Sequence, residues 1–403
     1  MCRHDLSHLR LFGVSLIKYL FVVLLMGSQA FANPSLPLHE TYTSVRALGM
    51  GNAYTAIVDD GDSLFYNPAG LNRVSGVNWT IIDPRVGTDD VNIMQTINNF
   101  KSSSNLTGAI QSQYGKSEWA NAGAKSIFTF PHFGAGLFGN SDTLLSVSNP
   151  PYPQLNLQSY TDYGGVVGFG FEPVPSFVKF GMDTKYMIRT GTESIFTADQ
   201  LATLSSTQIS DALKSTGTGY AVDTGLLVTL PSPIRPTLSF VWKNMGCTAF
   251  TKTAGPNAPP RIQDEMIIGG ALEITAPLIS ISPTIDYKYL NRGDIQFGKK
   301  ISLGVEVSLP LLNLRAGFNQ GYYTGGVGID LGIIKVDAAS YAEELGEFPG
   351  QIEDRRYVVQ ATFEIGFDFF GLFSGSSGSK SGDGSSGPSS NGGSLRRGLK
   401  QRR

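Results

Sequence analysis

The sequence predicts an all-β protein, a transmembrane antiparallel β-barrel of about 14 strands with short helices in its loops. Three observations predict it. Over the second half of the chain, runs of about ten residues alternate apolar and polar positions, a period and length that suit a tilted strand crossing a bilayer. The connections between these runs mostly alternate short with long, which sorts them to opposite ends of a barrel. Finally, 16% of the 403 residues are charged, with 48 glycines and 11% aromatics, against about 25% charged and about 7% glycine in an average soluble protein.

Taken in order, Arg3, Arg10 and Lys18 precede the apolar run from Tyr19 to Met26, and Ala30-Phe31-Ala32 follows. This is the layout of a secretory signal peptide over residues 1–32, cleaved after Ala32. A spanning anchor would need about 20 apolar residues. Export of this kind, combined with a barrel, predicts the outer membrane of a Gram-negative-type bacterium and contact with outer-membrane lipid. Cys2 and Cys247 are the only cysteines, and His4, His8, His39 and His132 are scattered. A disulfide framework and a thiolate zinc site are excluded by count, and no metal or cofactor is expected.

Residues 33–373 hold 22 Lys+Arg against 31 Asp+Glu, and residues 374–403 hold 6 against 1. The acidic body argues against nucleic acid as a partner. The Gly/Ser-rich basic tail, residues 374–403, cannot bury enough apolar surface to fold and is predicted to be disordered.

The barrel is expected over residues 77–373. Residues 299–309 set Ile301, Leu303, Val305, Val307 and Leu309 against Ser302, Gly304, Glu306 and Ser308, and the stretches 279–290 and 355–369 repeat the pattern. Weaker strand candidates lie near 77–83, 125–131 and 133–140. With the apolar face turned to lipid, the opposite face is a polar lumen, where we place Asp183, Lys185, Arg189, Asp286, Lys288, Glu306, Arg315, Asp330 and Glu364. Tyr160, Tyr163, Tyr220, Tyr287, Tyr289, Tyr322, Tyr323, Phe369 and Phe370 near strand ends are candidates for interfacial girdles. Residues 88–101 and 198–214 carry helical patterns inside long connections.

Residues 41–71 read TYTSVRALGMGNAYTAIVDDGDSLFYNPAGL. A dinucleotide loop is excluded, because the third glycine position of GxGxxG holds Tyr54 and no strand precedes it. Asp59, Asp60 and Asp62 lack the spacing and distal Glu of a calcium loop. The segment resembles the N-terminal hatch of the FadL family of outer-membrane long-chain fatty-acid transporters and of the wider group that includes PorV-type proteins. The resemblance is carried by Ala47 to Tyr54 with Gly49 and Gly51, by Asp59-Asp60, and by Phe65-Tyr66-Asn67-Pro68-Ala69-Gly70-Leu71. It implies a hatch over residues 33–76 that plugs a 14-stranded barrel, with Asn67, Pro68 and Ala69 in the plug. It also implies lateral release beside a kinked third strand, for which Pro131, Gly134, Gly136 and Gly139 are candidates, turn formation being the other reading of the same residues.

The expected function is therefore a hatch-gated outer-membrane channel for hydrophobic or amphipathic small molecules, of the long-chain fatty-acid kind. The alternative is a PorV-like barrel that acts as scaffold or shuttle for a secreted or surface protein. Catalysis is not expected, since His39 and His132 are the only histidines after residue 32 and neither lies in a recognisable motif.

Overall fold

The computed structural model describes residues 40–89, 117–147, 154–197, 200 and 214–367. The signal peptide, the basic tail, Phe369, Phe370 and nearly all of the two helical patterns lie outside these residues.

Seventeen strand segments form one antiparallel sheet that closes on itself. The first third comprises β1 (Val77–Ile82), β2 (Arg85–Thr88), β3 (Ser117–Phe130), β4 (Phe133–Val147), β5 (Leu155–Val174) and β6 (Val178–Phe196). There follow β7 (Thr216–Thr229), β8 (Thr237–Lys243), β9 (Thr251–Ala254), β10 (Glu265–Ala271), β11 (Ile274–Ala276) and β12 (Ile279–Tyr287). The last five are β13 (Ile301–Ser308), β14 (Leu312–Asn319), β15 (Tyr322–Asp330), β16 (Ile334–Glu344) and β17 (Glu353–Phe367).

Three pairs of segments are single interrupted strands. β1 and β2 both lie between β17 and β3, β8 and β9 both pair with β7, and β10 and β11 both pair with β12. The barrel therefore has 14 strands, closed where β1 and β2 meet β17. Pro84, which has no N–H to give a ladder, sits at the first interruption. Asp83 repairs the gap: its Oδ1 accepts from the Lys125 backbone N–H at 2.7 Å.

The short connections after β3, β5, β7, β11, β13 and β15 all fall at one end of the barrel, and the longer ones at the other, with Gln320-Gly321 a tight exception. By the asymmetry of outer-membrane barrels the short-turn end is periplasmic. Pro131 and His132, the latter at φ +69°, form one of these turns. β4 pairs with β3 from Phe133 to Ser146 and with β5 from Phe133 to Val147 without a register shift. The kinked third strand is thus not observed. Pro131 occupies a turn, where no ladder hydrogen bond is required, and Gly134, Gly136 and Gly139 lie inside an unbroken ladder.

Outward positions are apolar: Leu137, Val86, Leu238, Ile285 and Leu303 are exposed, whereas Asp286, Ser302 and Glu306 beside them are buried. Tyr163, Tyr220 and Tyr323 also face out. Tyr160 and Tyr289 do not; they are 2% and 8% exposed. The reason for Tyr160 is parity, since residues 160 and 163 are an odd number apart and a regular strand sends them to opposite faces. Tyr289 follows the end of β12 in a left-handed conformation, φ +55°, that turns it inward.

Candidate functional site

Residues 40–76 run inside the barrel. They form a short helix α1 (Val45–Gly49), a single helical turn α2 (Ser63–Tyr66) and a 3-10 turn (Pro68–Arg73). Almost every apolar side chain between Tyr42 and Val74 is buried, among them Val45, Met50, Tyr54, Leu64, Phe65 and Leu71. A segment this short cannot build its own core, so its apolar side chains pack on one another and on the inward residues Ile127, Phe138, Val166 and Met187.

Two patches of inward-facing glycine let the backbone of this plug approach the wall. On one side, Gly170, Gly181 and Gly225 are consecutive cross-strand partners or near partners on β5, β6 and β7. A Cβ at Gly181 would stand 2.2 Å from the Pro68 carbonyl, one at Gly225 would stand 1.9 Å from the Asn67 amide oxygen, and one at Gly170 would strike Asn72. On the other side, Gly304 and Gly317 are partners on β13 and β14, and a Cβ on either would meet the Met50 backbone at 2.3–2.4 Å. Gly51 itself is at φ +63°. Its N–H donates to Thr324 Oγ1 at 2.8 Å, while Gly49 packs on Gly326.

The Asn67 side chain donates to the Thr55 carbonyl at 2.9 Å and accepts from the Ala69 N–H at 3.1 Å, which holds the Asn-Pro-Ala turn from within. Phe65 packs edge-on to Phe138 and Tyr66 edge-on to Tyr54. The Tyr66 hydroxyl donates to Asn52 and accepts from the Ser44 N–H. Gly70 allows close contact with Ser63 and Val58.

Charges of the wall meet complementary groups of the plug. Asp286 accepts from the Tyr54 N–H, the Thr55 N–H and the Thr55 hydroxyl at 2.7–3.0 Å. Lys288 pairs with Glu40 at 2.7 Å, and Lys125 with Asp62 and Asp83. The Arg46 guanidinium grips Glu306 through both carboxylate oxygens at 2.8 and 2.9 Å, and reaches Asp59 and Asp60 at the periplasmic mouth. Glu306 also accepts from Arg315, which binds Asp337 in turn. Burial alone would raise the Asp62 carboxyl, but the Lys125 ammonium outweighs it and holds the pKa below the ordinary carboxylate value. Glu40 is lowered in the same way, with burial opposed by Lys288 and Lys243.

The other lumen residues named from sequence pair with one another or stand at the rim. Lys185 lies between Asp183 and Asp223, and Arg189 binds Asp162 through two hydrogen bonds of 2.6–2.7 Å. Glu364 meets Lys335 near the periplasmic end, and Asp330 accepts from the Gly332 N–H in a turn. Sequence reasoning missed Glu40, Tyr42, Arg46, Asp62, Asp83, Arg85 and Lys125. Asp83 before a proline and the strand position of Lys125 were the available signals; for Arg46 the nearby Asp59 and Asp60 were one, while its tightest partner, Glu306, lies on a strand 260 residues away.

Above the plug, on the long-loop side, lies a polar chamber. Its lining includes Glu40, Arg85, Asn121, Asn140, Lys288 and Arg356, with Trp119, Tyr289 and Tyr341 among the few apolar contributors. No group of three or more His, Cys, Asp or Glu that could hold a metal occurs among the described residues.

A closed barrel with an apolar outer belt, a charged lumen and an N-terminal plug defines an outer-membrane β-barrel, and its fold is FadL-like. No protein-family model and no curated protein matches the chain. Among solved structures, the chain is similar to the CymD monoaromatic hydrocarbon channel, at 10% identity and a TM-score of 0.51, over 82% of this chain and 99% of that one. The Ralstonia pickettii toluene transporter TbuX aligns over 82% and 99% at 12% identity and a TM-score of 0.47. The likeness is one of fold, and the first of the two carries it.

Proposed function

We propose that the protein is an outer-membrane channel for small molecules of hydrophobic or amphipathic character, with residues 40–76 as the hatch that closes it. The observation that carries this reading is the seat of the plug. It rests on glycine patches and side-chain hydrogen bonds rather than on strand pairing, so it can leave without breaking the sheet. Gly49, Gly51 and Asn67 to Gly70 are the seating residues in this reading. Asp59, Asp60 and Arg46 form its periplasmic latch, and Phe65 and Tyr66 fill its core. Because the ladder is continuous around β4, we place the solute's route along the barrel axis. The scaffold reading gains no support among the described residues.

The test locks the hatch to the wall. The Thr55 and Ser239 hydroxyl oxygens stand 2.8 Å apart, so Thr55→Cys with Ser239→Cys, in a Cys247→Ser background, brings two thiols within reach of a disulfide. Proteoliposomes are assayed for uptake of toluene and of oleate. Uptake of at least one solute should be lost on oxidation and return on reduction. Equal uptake in both states would overturn hatch gating, and no uptake above empty liposomes would overturn the channel reading.

A further inference from the structure

The barrel is uneven in height. β3 to β6 run 14, 15, 20 and 19 residues, whereas β12 to β15 run 9, 8, 8 and 9. On the short arc the lipid-facing surface begins at the rings of Tyr287, Phe318 and Tyr323, and the paired charges of Arg292 and Asp294 stand just beyond β12. A strand needs about 9–11 residues to cross, and the apolar band of a barrel is about 25 Å tall. From Tyr287 to the turn at Leu278 is nine residue steps, which at about 3.3 Å each and a tilt of about 40° rise about 23 Å. From Tyr323 to the turn at Leu331 is eight steps, a rise of about 20 Å on the same terms. These strands fill the band only when their turns are included.

The turns are themselves apolar. Leu278, Leu311, Leu331 and Ile333 are 62–68% exposed, as open as Leu137 and Leu238 of the outer belt at 66–67%. Among the described residues no outward position of β12 to β15 is charged, and Asp330, the acid nearest these tips, accepts from the Gly332 N–H. An exposed apolar patch of this kind marks a contact with something other than water. The turn backbones also meet the demand of hydrocarbon, that polar groups be satisfied internally. The Leu309 N–H donates to the Leu312 carbonyl at 2.8 Å and the Leu331 N–H to the Ile334 carbonyl at 2.9 Å, while the Leu311 and Ile333 carbonyls accept from the Asp330 and Glu364 N–H groups. Pro277 and Pro310 have no N–H to satisfy.

The tall arc ends differently. Phe130 stacks on Phe133 and Phe171 packs against Phe180, rings of the kind that mark a membrane interface. Beyond them lie Pro131-His132 and Pro175-Ser176, with Glu172 paired to Lys179 beside the second turn. The periplasmic ends of β12 to β15 carry Ile279, Leu309, Leu312 and Ile329 in place of such rings.

We infer that the turns after β11, β13 and β15 are immersed in the inner leaflet, with lipid acyl chains as the partner of their exposed leucine and isoleucine side chains, while the turns after β3 and β5 stand in water. The surface is continuous with the outer belt, since Leu278 follows from Ile281 and Leu331 from Ile329. The periplasmic mouth is thereby bordered by lipid on one side and by water on the other. Nothing in the inference depends on what passes through the barrel, so failure of the gating test leaves it standing.

Nitroxide labels read the difference. Leu278→Cys, Leu311→Cys, Ile333→Cys and Ser176→Cys are made singly in full-length protein lacking Cys2 and Cys247, checked for a folded barrel by heat-modifiable gel migration, and placed in vesicles of phosphatidylethanolamine and phosphatidylglycerol. Power-saturation EPR compares collision with oxygen, which concentrates among acyl chains, and with nickel-EDDA, which stays in water. Oxygen should dominate at 278, 311 and 333, and the ratio should invert at 176. The three tips are independent, so loss of one variant to misfolding leaves two. Nickel dominance at any folded tip would place it in water, open to a soluble partner, and would overturn the assignment. Oxygen dominance at 176 as well would show an evenly immersed end and overturn the difference between the two arcs.

Discussion

Gly181→Ala should loosen the hatch while leaving the barrel intact. The added Cβ would stand 2.2 Å from both the carbonyl carbon and oxygen of Pro68 and 2.3 Å from the Ala69 nitrogen. Ordinary contact begins near 3.4 Å, so more than 1 Å must be found between two stretches of backbone, neither of which can rotate away. Overpacking of this kind costs about 1–3 kcal/mol, and the hydrogen-bonded strand is the stiffer partner, so the strain falls on hatch docking. That lowers the ratio of docked to undocked hatch by about 5- to 150-fold. Trypsin reads the change, because Arg46 and Arg73 inside the plug are shielded when it is seated. Cleavage at these two sites should accelerate by a comparable factor, with heat-modifiable gel migration of the barrel unchanged. Gly165→Ala is the control, since its Cβ would face outward with its nearest neighbour, Leu137 Cδ2, at 3.6 Å. Unchanged cleavage in Gly181→Ala, or equal acceleration in Gly165→Ala, would refute the seating argument.

Two further outcomes follow from the same geometry. Val305→Arg, on the outward face next to buried Glu306 and opposite Pro283 and Ala316, should destabilise the barrel by about 2–4 kcal/mol in lipid if its site is near the midplane; urea titration in liposomes measures it, and a cost near zero would place Val305 outside the bilayer. Asp62 and Glu40 have folded pKa values below their ordinary ones, so their stabilisation is fully present above the unfolded values of about 4 and is lost as pH falls through the folded ones. Pepsin, active in acid, should cut the hatch slowly down to about pH 4 and faster below it; an onset between pH 5 and 6 would contradict the pairing with Lys125 and Lys288.

The wall of this barrel was legible in the sequence because it obeys a period. Once Glu306 and Val305 are assigned to opposite faces, every residue of that strand follows, and the same rule separates Asp286 from Ile285. The plug was legible only by resemblance, since its contacts have no period: Arg46 finds Glu306, 260 residues away, and Thr55 finds Ser239 and Asp286. Two girdle assignments failed for local reasons, Tyr160 through its parity with Asp162 and Tyr289 through its left-handed backbone; of the two readings given for Pro131, strand kink and turn, the turn is the one observed. Arg85 was invisible in sequence, because its partners, Thr43, Asn140 and the Tyr42 ring, meet it only in the assembled barrel.

The two glycine patches also bear on how the molecule is made. One lies on β5 to β7 and the other on β13 and β14, so the plug, which is synthesised first, touches strands from early and late in the chain. The seam that closes the cylinder joins β1 and β2, directly after the plug, to β17, the last strand. A plug that touches both halves of the wall is seated as that seam closes, although its later release needs no break in the sheet. The plug thereby serves as a mandrel for its own container, and substitutions that spoil its fit should lower the yield of closed barrels during biogenesis as well as alter the finished pore.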